Sequence, residues 1–324
     1  MQSYTFRAEG DGVVLERREV PLPDPAPGQL LVKMHAAALN RGELIPGGLV
    51  KGGAARPAGL EGAGEVVALG PGVGDPRPGS IVMGRCAGAF AEYVVMDARE
   101  AMPVPPALAI AEAASVPLVF LVVHDMLIAQ GRLRAGEWLL VCGVSSGVGV
   151  AALQAAKALG ARVIGTSGSA EKLARLRALG LDVAIETRAP TFADAVLEAT
   201  DGRGADLVVN AVGGSVFAEC LRCMAFEARL ATVGYVDRVL GAEIDLQALH
   251  AKRLVVFGVS NKLRNADQRA AGVPAFCADL LPAIADGRIR PLVDRVFPFD
   301  ALDAARACME ENRHLGKIVL RIGR

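Results

Sequence analysis

The sequence predicts an α/β protein in which a doubly wound parallel sheet is inserted into a discontinuous β domain. Three observations lead there: a change of texture near residue 110, a regular alternation of apolar strands with alanine-rich helices beyond it, and a glycine loop at the first strand-to-helix turn.

The first hundred residues carry short alternating runs such as Leu30-Leu31-Val32-Lys33-Met34 and Gly64-Glu65-Val66-Val67-Ala68, set between turn clusters at Asp24–Gly28 and Gly70–Gly74. Period-two patterning between glycine and proline turns predicts a compact β domain. From about Ile110 the texture changes. Trp138–Cys142 reads as a strand, Val148–Leu159 as a helix, Arg162–Gly165 as a strand and Ala170–Leu179 as a helix. Asp182–Ile185, Asp206–Ala211, Arg229–Gly234 and Leu254–Val259 follow as strands. Short strands that are apolar on both faces and joined by helices build a parallel sheet, because the helices cover both of its faces. After Ser260 the pattern predicts one long helix, a strand around Leu292–Phe297, a helix over Ala301–Asn312 and a last strand at Lys317–Ile322. That tail returns to the first domain, so the β domain is expected over 1–119 and 262–324 and the insert over 120–261.

Composition bounds the partners. A chain of 324 residues has room for two cores. Its 35 basic residues are balanced by 35 acidic ones, which gives no field to attract nucleic acid or an anionic membrane. Arg7, Glu9, Asp11, Glu16, Arg17, Arg18 and Glu19 leave no apolar stretch for a secretory signal, so a cytoplasmic location is expected. Trp138–Ala156 is uncharged for 19 residues, yet its three glycines, two serines and glutamine fit a strand, a loop and a helix start better than a membrane span. The six cysteines are scattered and expected to be free thiols. Cys220 and Cys223 form a CxxC with neither a second pair nor a nearby histidine to complete a zinc site.

The glycine loop runs Leu140-Val141-Cys142-Gly143-Val144-Ser145-Ser146-Gly147-Val148-Gly149. Without a Cβ, Gly147 and Gly149 are expected to let the backbone approach a pyrophosphate held at the helix N-terminus, with Ser145, Ser146 and Val148 completing the cradle. Glycines at 143, 147 and 149 depart from the GxGxxG spacing. Gly143–Gly147 also spells GxSxG, which keeps a serine hydrolase with Ser145 as nucleophile as an alternative; His250 and His314 are the histidines downstream.

The second strand of the insert runs into Thr166-Ser167-Gly168-Ser169, with no acid at its tip to hold a ribose 2′-hydroxyl. Ser167 and Ser169 can donate to phosphate oxygens, Lys172 follows in the next helix, and Arg188 comes after the third strand. NADPH is therefore expected in preference to NADH, with Glu171 diluting the positive field.

Six collinear stretches carry a more specific resemblance. They are Ala38-Leu39-Asn40, Gly59-Leu60-Glu61-Gly62-Ala63-Gly64-Glu65-Val66, Gly88-Ala89-Phe90-Ala91-Glu92-Tyr93, the glycine loop, Val209-Asn210-Ala211-Val212-Gly213-Gly214, and Asn312–Leu320. Over nearly its whole length the chain resembles the quinone oxidoreductase branch of the medium-chain dehydrogenase/reductase superfamily. The resemblance implies a GroES-like β domain with an inserted Rossmann domain. It extends the expected cofactor contacts to Asn210, Val212, Gly234, Tyr235, Val259, Ser260 and Lys317, and it places Asn40 and Glu43 at the catalytic, substrate-side positions. A homodimer joined edge to edge at Leu254–Val259 is expected, because an uncovered apolar strand is a liability in a monomer.

In the zinc alcohol dehydrogenases of this superfamily a cysteine follows the second strand and a His-Glu pair opens the glycine-rich segment. Asn40 and Leu60-Glu61 stand there instead, and Cys86 is alone where a four-cysteine lobe belongs, so no metal is expected. Without a Lewis acid the fitting acceptor is a small, apolar, already electrophilic molecule: a quinone or an activated, conjugated alkene or carbonyl. The chain departs from the branch in lacking tyrosines over Leu44–Gly59, in Val122 for a threonine, and in Thr187 for a tyrosine beside Arg188. Phe90, Tyr93 and Phe120 are candidates to line an apolar pocket, whereas His124 and Asp125, adjacent on a helix, point apart. An NADPH-binding protein of the lens-crystallin kind, with little turnover, is the remaining alternative.

Overall fold

A computed structural model describes residues 1–9, 12–44 and 54–323, and the chain divides into two compact units, Met1–Val119 with Ala266–Arg324, and Phe120–Asn265. The first unit opens with β1 (Gln2–Glu9), β2 (Gly12–Glu19), β3 (Gln29–Ala38), β4 (Arg56–Pro57), β5 (Glu61–Leu69), β6 (Ile81–Arg85), β7 (Tyr93–Asp97) and β8 (Ala101–Pro103). The second contains β9 (Trp138–Cys142), β10 (Arg162–Ser167), β11 (Val183–Glu186), β12 (Ala205–Asn210), β13 (Met224–Thr232) and β14 (Val255–Gly258). The chain then returns to the first unit with β15 (Val293–Pro298) and β16 (Lys317–Arg321).

In the first unit β3 organises the sheet. It is buried on both faces, pairs antiparallel with β5, β7 and β16, and belongs to the order β15-β16-β3-β5-β6-β8, while β2-β1-β4 form a separate sheet. The returning strand matters most to the site. Val319 pairs with Ala38 and Leu39 N–H donates to Ile318 O at 3.0 Å, so Lys317 comes beside the end of β3, where Asn40 follows.

In the second unit all strand pairs are parallel, in the order β11-β10-β9-β12-β13-β14. This is the doubly wound Rossmann order that the alternation of strands and helices predicted, and its direction of winding reverses between β9 and β12. Leu139, Leu140, Val141, Ile164, Leu207, Val208 and Val209 are fully buried, as strands covered on both faces require. Among the described residues no helix is long and apolar enough to cross a membrane.

Three readings of the sequence are corrected. The long helix expected after Ser260 is three short ones, Ala266–Ala270, Val273–Asp279 and Leu281–Ala285, because Pro274 and Pro282, which have no amide to donate, each sit in a first helical turn. β13 starts at Met224 rather than Arg229, since a register break lets Ala205 pair with Met224 before Leu207 pairs with Arg229. Phe90 and Phe120 are fully buried core side chains rather than pocket lining, and Tyr93 is half-buried on β7.

Candidate functional site

In the second unit the strand ends are aligned: Thr166 pairs with Cys142, Cys142 with Asn210, Asn210 with Thr232 and Thr232 with Gly258. The loops that follow all leave from this C-terminal edge, where doubly wound sheets bind their ligands. The edge thus gathers Ser145–Gly149, Ser167–Ser169, Val212, Gly234, Tyr235, Val259 and Ser260.

The glycine loop is pinned from below. Gly143 turns at φ +81°, and the amides of Gly143 and Val144 both donate to Thr166 O, at 3.2 and 3.0 Å. Ser146 caps the helix Gly147–Ala158 by accepting from Gly149 N at 3.0 Å. Gly149 has a different task from the one expected. A Cβ there would lie 2.5 Å from Gly143 O and 2.6 Å from Val144 Cα, so its bareness seats the helix on the strand end rather than opening a path to pyrophosphate. Thr166, buried, also accepts from Gly143 N at 3.3 Å and so shapes the loop from inside. Ser145 Oγ pairs with Ser167 Oγ at 3.1 Å, and a hydroxyl has no basicity to activate a nucleophile, which removes the support for the hydrolase reading.

At the tip of β10, Ser169 caps the helix Ala170–Arg177 by accepting from Lys172 N at 3.3 Å, which leaves its own hydroxyl hydrogen to donate. Arg188 arrives from the loop after β11 and lies across Gly168, where a Cβ would fall 2.4 Å from its Cγ and 2.8 Å from its Cζ. A guanidinium and two serines therefore surround a bare stretch of backbone.

Asn210 was expected to contact the cofactor, but it is fully buried and its amide is spent on its own loop. Oδ1 accepts from Val212 N and Gly213 N, both at 3.0 Å, and Nδ2 donates to Gly213 O at 2.8 Å. Asp237, which the sequence reading passed over, locks the far side of that loop: it accepts from Ser215 N at 2.9 Å and packs where a side chain at Gly213 would be. Tyr235 and Ser260 are exposed and Val259 is buried. Asp125 accepts from Arg264 at 2.9 Å and Gln130 at 3.0 Å, a structural clamp rather than half of an acid/base pair.

In the first unit Asn40 sits at the centre of a buried polar cluster. Its Nδ2 donates to Glu43 Oε1 at 2.8 Å and to Glu61 Oε1 at 2.9 Å, while its Oδ1 accepts from Lys317 Nζ at 2.7 Å. Lys317 also donates to Glu61 Oε1 at 2.8 Å and to Leu39 O at 2.9 Å, and Glu61 Oε2 accepts from Leu118 N at 2.7 Å. Lys317 was expected on the cofactor. It is 7 % exposed with three donors engaged, so it holds this cluster instead. Glu61 is the residue whose role here the sequence reading missed; an acid in a glycine-rich strand start and a lysine opening an apolar strand were the available signal, two charges that only each other could compensate. Glu43, 1 % exposed, is pushed up to about 8, first by burial and then by the nearby Glu61, with Asn40, Lys317 and the Gly59 backbone pulling it down. Among the described residues no three His, Cys, Asp or Glu side chains are arranged to hold a metal ion.

Comparison with known proteins agrees with this architecture. Residues 26–106 match the alcohol dehydrogenase GroES-like domain and residues 147–271 the zinc-binding dehydrogenase family. One component protein of the phenolphthiocerol/phthiocerol polyketide synthase of Mycobacterium tuberculosis is 33 % identical over 95 % of this chain, which spans only 14 % of that protein's length. Among solved structures, an NAD-dependent alcohol dehydrogenase is 30 % identical with a TM-score of 0.84 and full coverage of both chains. Mycobacterial Rv1454c complexed with NADPH is 28 % identical with a TM-score of 0.89 over 99 % of both chains. A structure described as a mycobacterial quinone oxidoreductase is also 28 % identical, with a TM-score of 0.85 over 99 % of both chains. Both halves of the fold, the strand order and the full-length likeness agree: the chain belongs to the medium-chain dehydrogenase/reductase superfamily of nicotinamide-dependent oxidoreductases.

Proposed function

We propose that the protein is a zinc-free, NADPH-dependent reductase of an apolar conjugated acceptor, a quinone or an activated alkene or carbonyl. The observation that carries the cofactor choice is Arg188 lying across Gly168 beside Ser167 and Ser169, with no acid at the tip of β10. A cation and hydroxyl donors over bare backbone fit a 2′-phosphate and give a ribose 2′-hydroxyl no carboxylate to hold. The likeness to a neighbour complexed with NADPH supports the same choice.

Bound NADPH supplies a hydride. The chain's own residues shape its seat: Ser146 and the capped helix present amide dipoles to the pyrophosphate, Asn210 and Asp237 hold the loop after β12, and Val212, Gly234, Tyr235, Val259 and Ser260 line the aligned strand ends. The donor set in the first unit does not fit a catalytic zinc. Asn40 offers an amide, Leu60 nothing, and the Glu61 carboxylate is already committed to Lys317, Asn40 and the Leu118 amide. Of the two catalytic positions expected from the sequence, Glu43 is the candidate and Asn40 holds its carboxyl, and an acceptor that is already electrophilic suits a site without a Lewis acid. The likeness to a structure described as a quinone oxidoreductase supports a quinone. A cytoplasmic homodimer belongs to the same proposal.

Steady-state NADPH oxidation with a panel of quinones, enones and 2-enoyl thioesters tests it. Turnover with at least one acceptor class, unchanged by chelators, is expected. Tight NADPH binding with no turnover would point to the crystallin-like alternative, and activity lost with stoichiometric zinc would overturn the metal-free reading.

A further inference from the structure

The hydrogen bonds around Asn40 can be counted donor by donor. Lys317 engages Leu39 O, Asn40 Oδ1 and Glu61 Oε1, which accounts for its three N–H bonds. Asn40 spends both amide hydrogens on the carboxyls of Glu43 and Glu61. The amide cannot be turned over, because that would set its NH₂ against the Lys317 ammonium. Neither side chain keeps a donor for a substrate.

The charges close in the same way. Lys317 compensates Glu61, and a second ionised carboxylate at Glu43 would stand as excess negative charge in a buried site. The titratable groups among the described residues that act on Glu43 are Glu61 and Lys317, and Glu43 in turn acts on Arg85 and Cys86. The favoured state is one ion pair plus a neutral Glu43. Its Oε1 accepts from Asn40, so the proton belongs on Oε2, for which no side chain among the described residues is an acceptor; the nearby Gly59 backbone amide can only donate to this carboxyl. That O–H is the cluster's one unspent donor.

We propose that Glu43 is the neutral acid that protonates the reduced acceptor at oxygen, with Asn40, Glu61 and Lys317 as its positioning residues. The role rests on the reductase reading above. Once the acceptor has gained a hydride, the Glu43 O–H bond breaks as an O–H bond forms on the acceptor: on the second oxygen of a quinone to give the hydroquinone, or on the enolate oxygen of a conjugated carbonyl, whose enol then returns to the keto form. Water returns the proton to the Glu43 carboxylate, so each turnover consumes one proton from solvent.

The test begins without cofactor. Infrared pH titration of the wild type should show a carboxylic-acid C=O band at neutral pH that is lost as the pH rises through about 8, and Glu43→Gln should lack it. Glu43→Gln keeps an Oε1 acceptor for Asn40, so the NADPH dissociation constant should be unchanged while kcat falls about 100-fold, the size of a general-acid contribution. The wild-type kcat should decline above that pH and the variant's should be flat. Glu43→Asp, which keeps the acid but withdraws it, should retain a titrating band and lose kcat; Lys317→Met should move the alkaline limb to higher pH, an effect a purely structural residue would not have. An identical infrared difference spectrum for wild type and Glu43→Gln, or a wild-type kcat and pH profile in that variant, would overturn the proposal. If the band is present but no acceptor is reduced by wild type, the reductase reading falls and the acid's role falls with it, a pattern distinct from reduction that ignores Glu43.

Discussion

Arg188 lies across Gly168 so closely that a Cβ at residue 168 would fall 2.4 Å from the arginine Cγ. The glycine is therefore the bed of the arginine, and the arrangement makes coenzyme choice depend on a residue that carries no charge. Gly168→Ala should push Arg188 aside and lower the preference for NADPH while leaving KM for NADH nearly unchanged. Arg188→Ala and Lys172→Ala should each weaken NADPH by roughly 10- to 150-fold, the equivalent of one charge-assisted bond of about 1.5–3 kcal/mol. Equal losses with both coenzymes, measured by steady-state kinetics, would separate these residues from the 2′-phosphate.

Gly149 behaves oppositely. A Cβ there meets backbone, Gly143 O at 2.5 Å and Val144 Cα at 2.6 Å, and backbone cannot swing away as a side chain can. Gly149→Ala should shift the helix Gly147–Ala158 from the strand end and weaken NADPH and NADH alike, with a lower thermal midpoint. Selective loss of NADPH in this variant would contradict the seating role.

The parallel sheet was legible in the sequence because each strand is an apolar run followed by a turn, and periodicity sees such runs directly. β13 was cut short at Arg229 because Glu227, at φ +58°, and the register break beside it interrupt the apolar pattern inside a strand that continues through them. Arg188 and Ser169 were readable as charge and hydroxyl at strand tips. The Asn40 cluster was only half readable, since Asn40 and Lys317 are 277 residues apart and only the pairing of β16 with β3 brings them to 2.7 Å. A lysine read one residue at a time looks like an anion contact; its actual partner is a buried carboxylate that pairing alone reveals.

The Lys317–Glu61 pair is buried on both sides, with Glu61 wholly inaccessible. Breaking one half leaves an uncompensated buried charge, so Lys317→Met should cost about 3–5 kcal/mol of stability in urea unfolding. Lys317→Met combined with Glu61→Gln should recover most of that loss, since both charges then disappear together. Strictly additive single losses would show that the two residues are not coupled.

Among the described residues β14 ends the sheet order and pairs only with β13, while Val255 and Val256 are 51 % and 38 % exposed. An apolar strand with one free edge invites pairing with another copy. Sedimentation should give a dimer at micromolar concentration, and Val255→Lys should raise its dissociation constant at least tenfold. A wild-type monomer would count against assembly through this edge.

Glu43 makes stability depend on pH in a direction unusual for a carboxylate. Its ordinary value is 4.5 and the fold pushes it up to about 8, chiefly by burial. Between those values the folded chain keeps a proton that the unfolded chain has released. The unfolded state then binds fewer protons, so stability contributed through this group falls as pH rises from about 4.5 to about 8 and changes no further above it. The loss by neutral pH is on the order of 3 kcal/mol, at about 1.4 kcal/mol for each tenfold change in proton concentration. Glu43→Gln carries no such proton. Its urea midpoint should match the wild type near pH 4.5 and exceed it by a margin that grows until about pH 8, with an unchanged dependence on denaturant. Wild-type and variant curves that stay parallel across this interval would show that Glu43 ionises in the folded protein as it does in water, and the neutral acid argued above would not exist.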